Sequence, residues 1–292
     1  MTDVRAATAP RRVRLDRLWR AAKPALAIAG GAYLLGSVLG IIPFTLQRGV
    51  APGLDTVVYW AADLDNLYAG AQIGERDAFL YSPVFAQVLF PLRFLPFEVA
   101  YGLWLGVSIA ALVWMRVAWT LAFPPVLADL YWGNVHVFYA LVIVLGFRVA
   151  ALWALPILTK VVSGIGVLWF AFRAEWRPFA IALGASAAIA LISFVLAPGL
   201  WFDWFDSLIA NSGRETGMRF DIVPLPIRLA GGLAILFWGA RTDRRWTVPI
   251  AVFLASPTMW PGTGAVLVAA VSPRLREGQA TEPSSAERAD EV

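Results

Sequence analysis

Cysteine is absent from this 292-residue sequence, and histidine occurs only once, as His136. The lack of cysteine excludes disulfides, thiolate metal sites and cysteine nucleophiles. A single histidine excludes a multi-histidine metal site and removes the most common general base, so a catalytic base would have to be a carboxylate. We expect no metal and no cofactor, and we interpret His136 as a hydrogen-bonded interior residue.

Charged residues are also scarce. They make up 15% of the chain and apolar residues 59%, against about 25% and about 45–50% in soluble domains. The apolar residues gather in runs such as 25–46, 149–172 and 179–197, each close to the roughly 20 residues that cross about 30 Å of hydrocarbon. The sequence therefore predicts an all-α, polytopic transmembrane helix bundle of about seven to nine membrane segments. Such a protein is a multi-pass protein of the cell membrane, in contact with membrane lipid.

The charge pattern divides the chain into three parts. Residues 1–23 are basic, and the positive-inside rule places them in the cytoplasm. Residues 24–272 form the predicted transmembrane domain, with a polar outer loop at 47–79. Residues 273–292 are small, polar and acidic, which predicts a disordered tail. The net charge of +4 comes mostly from arginines at segment ends, so it indicates membrane topology and not nucleic-acid binding.

The sequence leaves the membrane topology of two segments undecided. Residues 81–96 either cross the membrane or form a half-helix that dips in from the outer face, and Pro83 and Pro91 favour the half-helix. The half-helix places Arg116 and the basic segments 172–177 and 241–245 together in the cytoplasm. Residues 246–271 form either one kinked span or a short hairpin. Further crossings are predicted at 97–114, 135–147, 149–172, 179–197 and 223–240.

Three charged residues are candidates for a functional site. Asp55 follows the first span and has apolar and aromatic neighbours, which desolvate a carboxylate and make it a better base. Lys160 lies in the middle of a span, where a charge costs at least about 2.5–3.5 kcal/mol. We expect it to face a polar cavity and an anion such as a lipid phosphate, although it could also reach an interface. Arg228, near the outer end of its span, either joins Lys160 or anchors the helix end.

An ordered series of motifs resembles glycosyltransferase family 87, also described as the DUF2029 proteins. The series includes DTVVYWAA, FLYSPVFAQVLFPLRFLP, WGNVHVFYALVIVLG and ALPILTKVVSGIGVLWFAFRAEWR. The resemblance implies a GT-C-like fold and a mannosyltransferase that depends on polyprenyl-phosphate-mannose. It also implies that Asp55 is the catalytic base, within a D-x-x-x-Y element that ends at Tyr59.

The same resemblance assigns substrate-binding residues. A Y-x-P element corresponds to Tyr81 and Pro83, and a Gly-Asn element ends at Asn134. The mid-span lysine of the family corresponds to Lys160. An S-P-x-x-W element ends at Trp260, although proline and glycine follow it here where the family often has His-Tyr. With Arg228 from the charge pattern, the predicted substrate-binding residues are Tyr59, Tyr81, Pro83, Asn134, Lys160, Arg228 and Trp260.

The predicted function is transfer of a hexose, mannose by the resemblance, from a polyprenyl-phosphate sugar to a hydroxyl at the outer membrane face. The partners are that donor, a lipid or glycan acceptor and membrane lipid, and no nucleic acid is expected. One alternative is a transporter or flippase for a lipid-linked or anionic substrate, although the halves of the sequence show no internal repeat. The other is a catalytically silent family member that acts as a scaffold.

Overall fold

The structure, a computed structural model, describes residues 52–73, 75, 78–212 and 223–280. The described residues form α-helices and short 3-10 helices and contain no strand, so the predicted all-α fold is confirmed. The basic segment 1–23 and the predicted first span lie outside the described residues. The α-helices are α1 (Leu54–Trp60), α2 (Pro83–Leu89), α3 (Phe97–Trp114), α4 (Pro124–Trp132), α5 (His136–Gly146), α6 (Ala154–Thr159), α7 (Leu168–Phe172), α8 (Trp176–Leu196), α9 (Pro198–Asn211), α10 (Leu225–Arg241), α11 (Thr247–Ala255), α12 (Val268–Val271) and α13 (Pro273–Ala280). The 3-10 helices are Phe90–Phe94, Ala118–Ala122, Ala150–Trp153, Val161–Val167 and Pro261–Leu267.

Two described helices are long and apolar enough to cross a bilayer. They are α3, with 18 residues, and α8, with 21 residues, and a rise of 1.5 Å per residue gives them lengths of about 27 and 32 Å. The pair α4 and α5 also has the required composition, but it is bent by 111°. Aliphatic side chains of α3 and α8 point outward, as expected for helices that face lipid. Among them are Val107, Val113, Leu191, Ile192 and Val195.

Several turns gather at the end of the bundle where α3 ends. Arg173 donates hydrogen bonds to the carbonyl oxygen of Ala240, at 3.1 Å, and to the carboxylate of Asp243, at 3.0 Å. Arg116 forms an ion pair with Glu277 at 2.7 Å. We call this the arginine-rich end; it comprises residues 114–116, 147–149, 172–177, 240–247 and 272–277. The contacts bring the basic segments 172–177 and 241–245 to one side, as the half-helix interpretation predicts.

The segment 81–96 starts and finishes beside α1. The hydroxyl of Tyr81 lies 2.9 Å from that of Tyr59, and the indole of Trp60 donates a hydrogen bond of 2.8 Å to the carbonyl of Leu95. Between these contacts the chain forms only α2 and one short 3-10 helix. Because both ends meet neighbouring residues of α1, the segment goes in and returns. This return favours the half-helix over a full crossing, and its entry from the outer face stays a prediction.

Residues 149–172 do not form the single span that their hydropathy predicts. The backbone is extended at Lys160, with φ −139° and ψ 103°, and the segments on either side of it lie together. A Cβ atom built on Gly164 would be 2.3 Å from the side chain of Ile157. At the arginine-rich end, the rings of Phe147 and Trp169 are 5.6 Å apart. The segment is therefore a hairpin with Lys160 at its tip, and we call it the lysine hairpin.

Local chemistry explains why this run turns back. Pro156 has no N–H group and limits the length of a regular helix, and the glycines of the second arm allow its backbone to approach the first arm closely. A Cβ atom on Gly166, for example, would be 2.2 Å from the Trp153 ring. Hydropathy alone does not distinguish two short apolar arms from one crossing.

The sequence left two alternatives for residues 246–271, one kinked span or a short hairpin. The structure shows the hairpin, which we call the second hairpin. Helix α11 packs against Pro261–Leu267 and α12, and the tip between them carries Trp260. The second arm returns to the arginine-rich end, where the hydroxyl of Ser272 donates a 2.8 Å hydrogen bond to the carbonyl of Met115. Near the tip, a Cβ atom on Gly262 would be 3.1 Å from the backbone of Asp129. The tip therefore lies against α4.

The predicted disordered tail begins later than residue 273. Residues 273–280 form α13, because this stretch has partners at the end of α3. Arg274 stacks on the Trp114 ring at 4.3 Å and donates a hydrogen bond to its carbonyl, and Leu275 is buried. Residues 281–292 lie outside the described residues.

Candidate active site

The first element of the site is a hydrogen bond between the outer loop and the bend of the α4–α5 pair. The side-chain amide of Asn134 donates a 2.7 Å hydrogen bond to Oδ2 of Asp55. The amide orientation is fixed because its Oδ1 accepts a 2.7 Å hydrogen bond from the backbone of Val135. Helix α1 is itself attached to α4, since the N–H of Gly53 donates to the carbonyl of Tyr131 at 2.7 Å. One carboxylate oxygen of Asp55 is therefore held in place by Asn134.

A buried carboxylate that the sequence reasoning missed holds this bend. Asp129 of α4 lies 2.8 Å from Nδ1 of His136, and it accepts hydrogen bonds from the backbone N–H groups of His136 and Val137 at 3.3 and 3.1 Å. It thereby satisfies the first N–H groups of α5, as an N-terminal capping residue does. The interpretation of His136 as a hydrogen-bonded interior residue is confirmed.

The bend also requires a glycine. Gly133 has φ +70°, and a Cβ atom there would be 1.8 Å from the Thr56 hydroxyl oxygen, which donates a hydrogen bond to the carbonyl of Gly133. We expect Gly133→Ala to lower the free energy of unfolding by about 2–4 kcal/mol, from left-handed strain of about 1–3 kcal/mol and the clash. A melting curve in detergent tests this. The control is Gly184→Ala in α8, where the added methyl meets open space and should leave stability equal or higher; equal melting of the two variants would contradict the assignment.

The second element is a pair of tyrosines beside the lysine hairpin. The hydroxyls of Tyr59 and Tyr81 are 2.9 Å apart, and the carbonyl of Tyr81 accepts a 2.8 Å hydrogen bond from the Tyr68 hydroxyl. The ammonium of Lys160 lies 4.9 Å from the centre of the Tyr81 ring, in a cation–π contact. The hydroxyl of Ser82, which follows Tyr81, donates a hydrogen bond to the carbonyl of Leu158 in α6, two residues before Lys160. The start of α2 therefore fixes the hairpin tip in the site.

The environment of Asp55 alters its acidity. Burial raises its pKa from 3.8 to about 6, and the positive charge of Lys160 and the hydrogen bond from Asn134 limit the increase. Asp129 adds a smaller effect in the upward direction. Burial also raises the pKa values of Tyr59 and Tyr81 well above their usual range, so both remain neutral hydroxyls. Above about pH 6 the side chain of Asp55 is therefore a carboxylate, suited to accept a proton.

The Asn134 hydrogen bond should determine the pH dependence of the site. It stabilises the charged form of Asp55, so its removal in Asn134→Leu should raise the Asp55 pKa further. We expect the acid limb of the rate profile, near pH 6 in the wild type, to move to higher pH, with the largest loss below about pH 7. A profile of transfer rate against pH from 5 to 9 measures this. The control is Asn66→Leu in the exposed loop; an unshifted Asn134→Leu profile would exclude Asn134 as the partner of the base.

The remaining predicted residues have different environments. Pro83 is the first residue of α2, where its fixed φ favours helix initiation. Arg228 donates hydrogen bonds to the carbonyls of Val223, Leu254, Ser256 and Pro257, at 2.6 to 3.3 Å. Its guanidinium therefore holds the second hairpin tip, and its charge is directed to backbone carbonyls.

The last of the predicted substrate-binding residues is Trp260. It lies at the tip of the second hairpin, and its ring is 6.2 Å from that of Trp132, in the last turn of α4 before the bend. The structure therefore brings Asp55, Tyr59, Tyr81, Asn134 and Lys160 into one cluster, while Trp260 lies on the neighbouring tip. Among the described residues, no group of three or more histidine and acidic side chains could hold a metal ion.

An apolar groove of about 380 Å³ adjoins this cluster. Phe85 and Trp104 form its inner wall, and their rings lie 5.0 and 5.2 Å from that of Tyr59. Val88 and Leu155 form part of its outer rim and are 67% and 42% exposed, so the groove opens on the lipid-facing surface. The lining residues are Val84, Phe85, Val88, Leu89, Trp104, Val135, Phe138, Ala151, Leu152, Ala154, Leu155, Leu158, Thr159 and Ile189.

Comparison with known protein families gives a match over most of the chain. A model of glycosyltransferase family 87 matches residues 79–287. The chain belongs to glycosyltransferase family 87. This family 87 protein is therefore a membrane glycosyltransferase, which requires a sugar donor and an acceptor. The matched range includes Tyr81, Asn134 and Lys160 and begins after Asp55. No curated protein and no solved structure matches the chain.

Proposed function

We propose that this protein transfers a hexose, mannose by the family resemblance, from a polyprenyl-phosphate sugar to an acceptor hydroxyl. The reaction takes place at the outer face of the cell membrane, in a multi-pass helix bundle of the GT-C type. The observation that carries the proposal is the cluster in which Asp55, held by Asn134, shares one site with the hairpin lysine, Lys160. The site thus combines a candidate base with a candidate phosphate ligand.

The transfer is a single displacement. Asp55 takes the proton of the acceptor hydroxyl while that oxygen forms a bond to the anomeric carbon. The bond from this carbon to the phosphate oxygen breaks, and the electron pair remains on the polyprenyl phosphate. Attack opposite the leaving group inverts the anomeric configuration. Lys160 offsets the charge that develops on the phosphate, and this stabilisation is greatest where water is excluded.

Tyr59 and Tyr81 remain neutral at the pH of the reaction, so each has a hydroxyl that can donate a hydrogen bond to a sugar oxygen. Trp260 on the adjacent hairpin tip has an aromatic face of the kind that stacks on sugar rings. Arg228 acts as a positioning residue, because its hydrogen bonds fix the two residues that begin this tip. Pro83 sets the start of α2 and with it the position of Tyr81.

The groove supports a donor carried by a lipid. Its lining is almost entirely apolar, it opens on the surface of the lipid-facing helices, and its inner wall touches Tyr59. A hydrocarbon chain in the groove would approach the cluster from the bilayer, with its phosphate directed towards Lys160. A sugar nucleotide has no apolar chain to fill this space.

The experiment is a transfer assay with the purified protein in lipid nanodiscs. Polyprenyl-phosphate-[¹⁴C]mannose or GDP-[¹⁴C]mannose is supplied with an extract of membrane lipids as acceptor, and the label is followed into new lipid or glycan. We expect transfer from the lipid-linked donor alone. Ala151→Trp, which fills the groove, should reduce kcat/KM for a long-chain donor by about tenfold or more, as expected when one large side chain blocks a binding contact. A donor shortened to two isoprene units should be affected less.

The control is Ala187→Trp, which adds the same side chain to the exposed surface of α8 and should leave both donors unaffected. Equal loss with both donors in the Ala151 variant would contradict chain binding in the groove. Movement of the intact labelled donor across the bilayer of sealed vesicles that contain the protein, with no transfer in nanodiscs, would favour a flippase. Transfer from the sugar nucleotide would show that the proposed donor class is wrong.

A further inference from the structure

A second cavity, of about 360 Å³, lies at the arginine-rich end. Its lining residues are Phe147, Phe170, Glu175, Trp176, Arg177, Pro178 and Arg245. Helix α8 starts at this cavity and runs for 21 residues, about 32 Å, towards α9, where Asn211 bonds the outer-loop carbonyl of Ala71 at 2.9 Å. The cavity is therefore at the opposite end of the bundle from Asp55, and nothing in the proposed function uses it.

A buried arginine forms one wall of the cavity. Arg245 is only 4% exposed, and its guanidinium lies 4.4 Å from the centre of the Phe147 ring. The Phe147 ring is itself packed against Phe170, at 5.9 Å. This cation–π contact fixes the plane of the guanidinium against the wall. A guanidinium is a rigid planar group with five N–H donors, and its geometry matches carboxylate and phosphate oxygens.

The acidic residue of the lining is directed to another arginine. The carboxylate of Glu175 accepts a 2.7 Å hydrogen bond from Nε of Arg173, which also binds Asp243. Arg177, two residues later, is exposed and adds a second guanidinium to the cavity rim. The turns of the arginine-rich end carry nine arginines and three carboxylates among the described residues. This excess of positive charge favours an anionic ligand.

The position of the cavity relative to lipid narrows the choice of anion. Trp176 forms part of the lining, is 63% exposed and lies in the first turn of α8, the helix with an outward aliphatic face. Exposed tryptophans at the ends of membrane helices lie at the level of lipid headgroups. The cavity is thus at the depth where phospholipid phosphates are found.

We propose that this cavity binds a phosphate group, with Arg245 and Arg177 as its ligands, and that the phosphate belongs to an anionic phospholipid headgroup. Arginine suits the role because its fork forms two parallel hydrogen bonds with phosphate oxygens. A soluble phosphate ester has the same chemistry, and the test below separates the two sources. The site differs from the donor site in its position, its ligands and its lipid class.

The test is native mass spectrometry of the full-length protein released from nanodiscs that contain phosphatidylglycerol and phosphatidylcholine. We expect the wild type to retain phosphatidylglycerol about tenfold more strongly, as one charge-assisted hydrogen bond can provide. Arg245→Gln should remove most of this preference. Arg177→Gln, at an exposed position where folding is not at risk, should reduce it about threefold. The control Arg276→Gln, exposed at the same end, should retain it.

A preference that survives in both the Arg245 and the Arg177 variant, or that falls equally in the Arg276 control, would overturn the proposal, since general surface charge would then explain it. Glycerol 3-phosphate, added at millimolar concentration, distinguishes the sources of phosphate. No displacement of phosphatidylglycerol is expected for a lipid site, and full displacement would assign the cavity to a soluble phosphate ester. The wild-type transfer assay is independent of this result, so failure here leaves the proposed function unaffected.

Discussion

Asp55→Asn should reduce the rate of sugar transfer by about 10³-fold, within the 10²- to 10⁴-fold range that a general base contributes. Asparagine has nearly the same shape as aspartate, and its side-chain oxygen can still accept the hydrogen bond from Asn134. It cannot take the proton of the attacking hydroxyl. The variant should therefore fold and bind donor normally while turnover is lost. Single-turnover transfer in nanodiscs, with donor binding measured in parallel, tests this expectation.

The matched control is Asp63→Asn. Asp63 lies in the same outer loop but is exposed, so its replacement should change the rate by less than about twofold, as for most surface substitutions. Asp55→Asn with normal turnover would show that another group, or a water molecule, removes the proton. Loss of donor binding in the same variant would instead show that Asp55 positions the donor.

Lys160→Gln should reduce kcat/KM for the lipid-linked donor by about 10²- to 10³-fold, the loss found when a group that stabilises developing charge is removed. Glutamine keeps most of the length and some hydrogen-bonding capacity but has no charge to offset the leaving phosphate. The folded state should not be weakened much, because removing a charge at membrane depth also removes its desolvation cost. Melting temperature and donor affinity, measured together with the rate, separate catalysis from folding.

Two further variants make this test specific. Lys160→Arg keeps the charge and should recover part of the activity, although the wider guanidinium fits the hairpin tip less well. Arg93→Gln removes an exposed charge from the half-helix and should leave the rate unchanged. Full activity of Lys160→Gln would contradict the role of the lysine, and equal losses for the two lysine variants would indicate a packing defect.

Local sequence signals were sufficient for the regular parts of the fold. The bounds of α3 agree with the apolar run at 97–114, and α8 includes most of 179–197, since a lipid-facing helix is defined by continuous hydropathy. The half-helix at 81–96 could be predicted from the sequence because Pro83 and Pro91 limit regular structure. The site residues could be predicted mainly from the motif resemblance, which indicates Asp55, Asn134 and Lys160 but not the contacts between them.

The parts that the sequence did not reveal depend on long-range contacts. The run 149–172 has the hydropathy of one span, and its hairpin shape results from close approach at Gly164 and Gly166. Asp129 was overlooked because a single acid near a Pro-Pro pair suggests a polar loop, whereas its function depends on the 111° bend beside it. The contacts of Arg228 with the hairpin carbonyls likewise join residues 26 to 29 positions apart.

The lysine hairpin has a consequence for biosynthesis. Each arm is only about half as long as a bilayer crossing requires, and the tip has a charge and backbone groups that need protein partners in hydrocarbon. We therefore expect that the translocon does not release this hairpin into lipid as an independent unit. Ser82, which binds its first arm, is synthesised earlier in the chain. A circular permutant in which residues 150–172 emerge from the ribosome before the half-helix should fail to insert, although it has all the residues that form the native contacts.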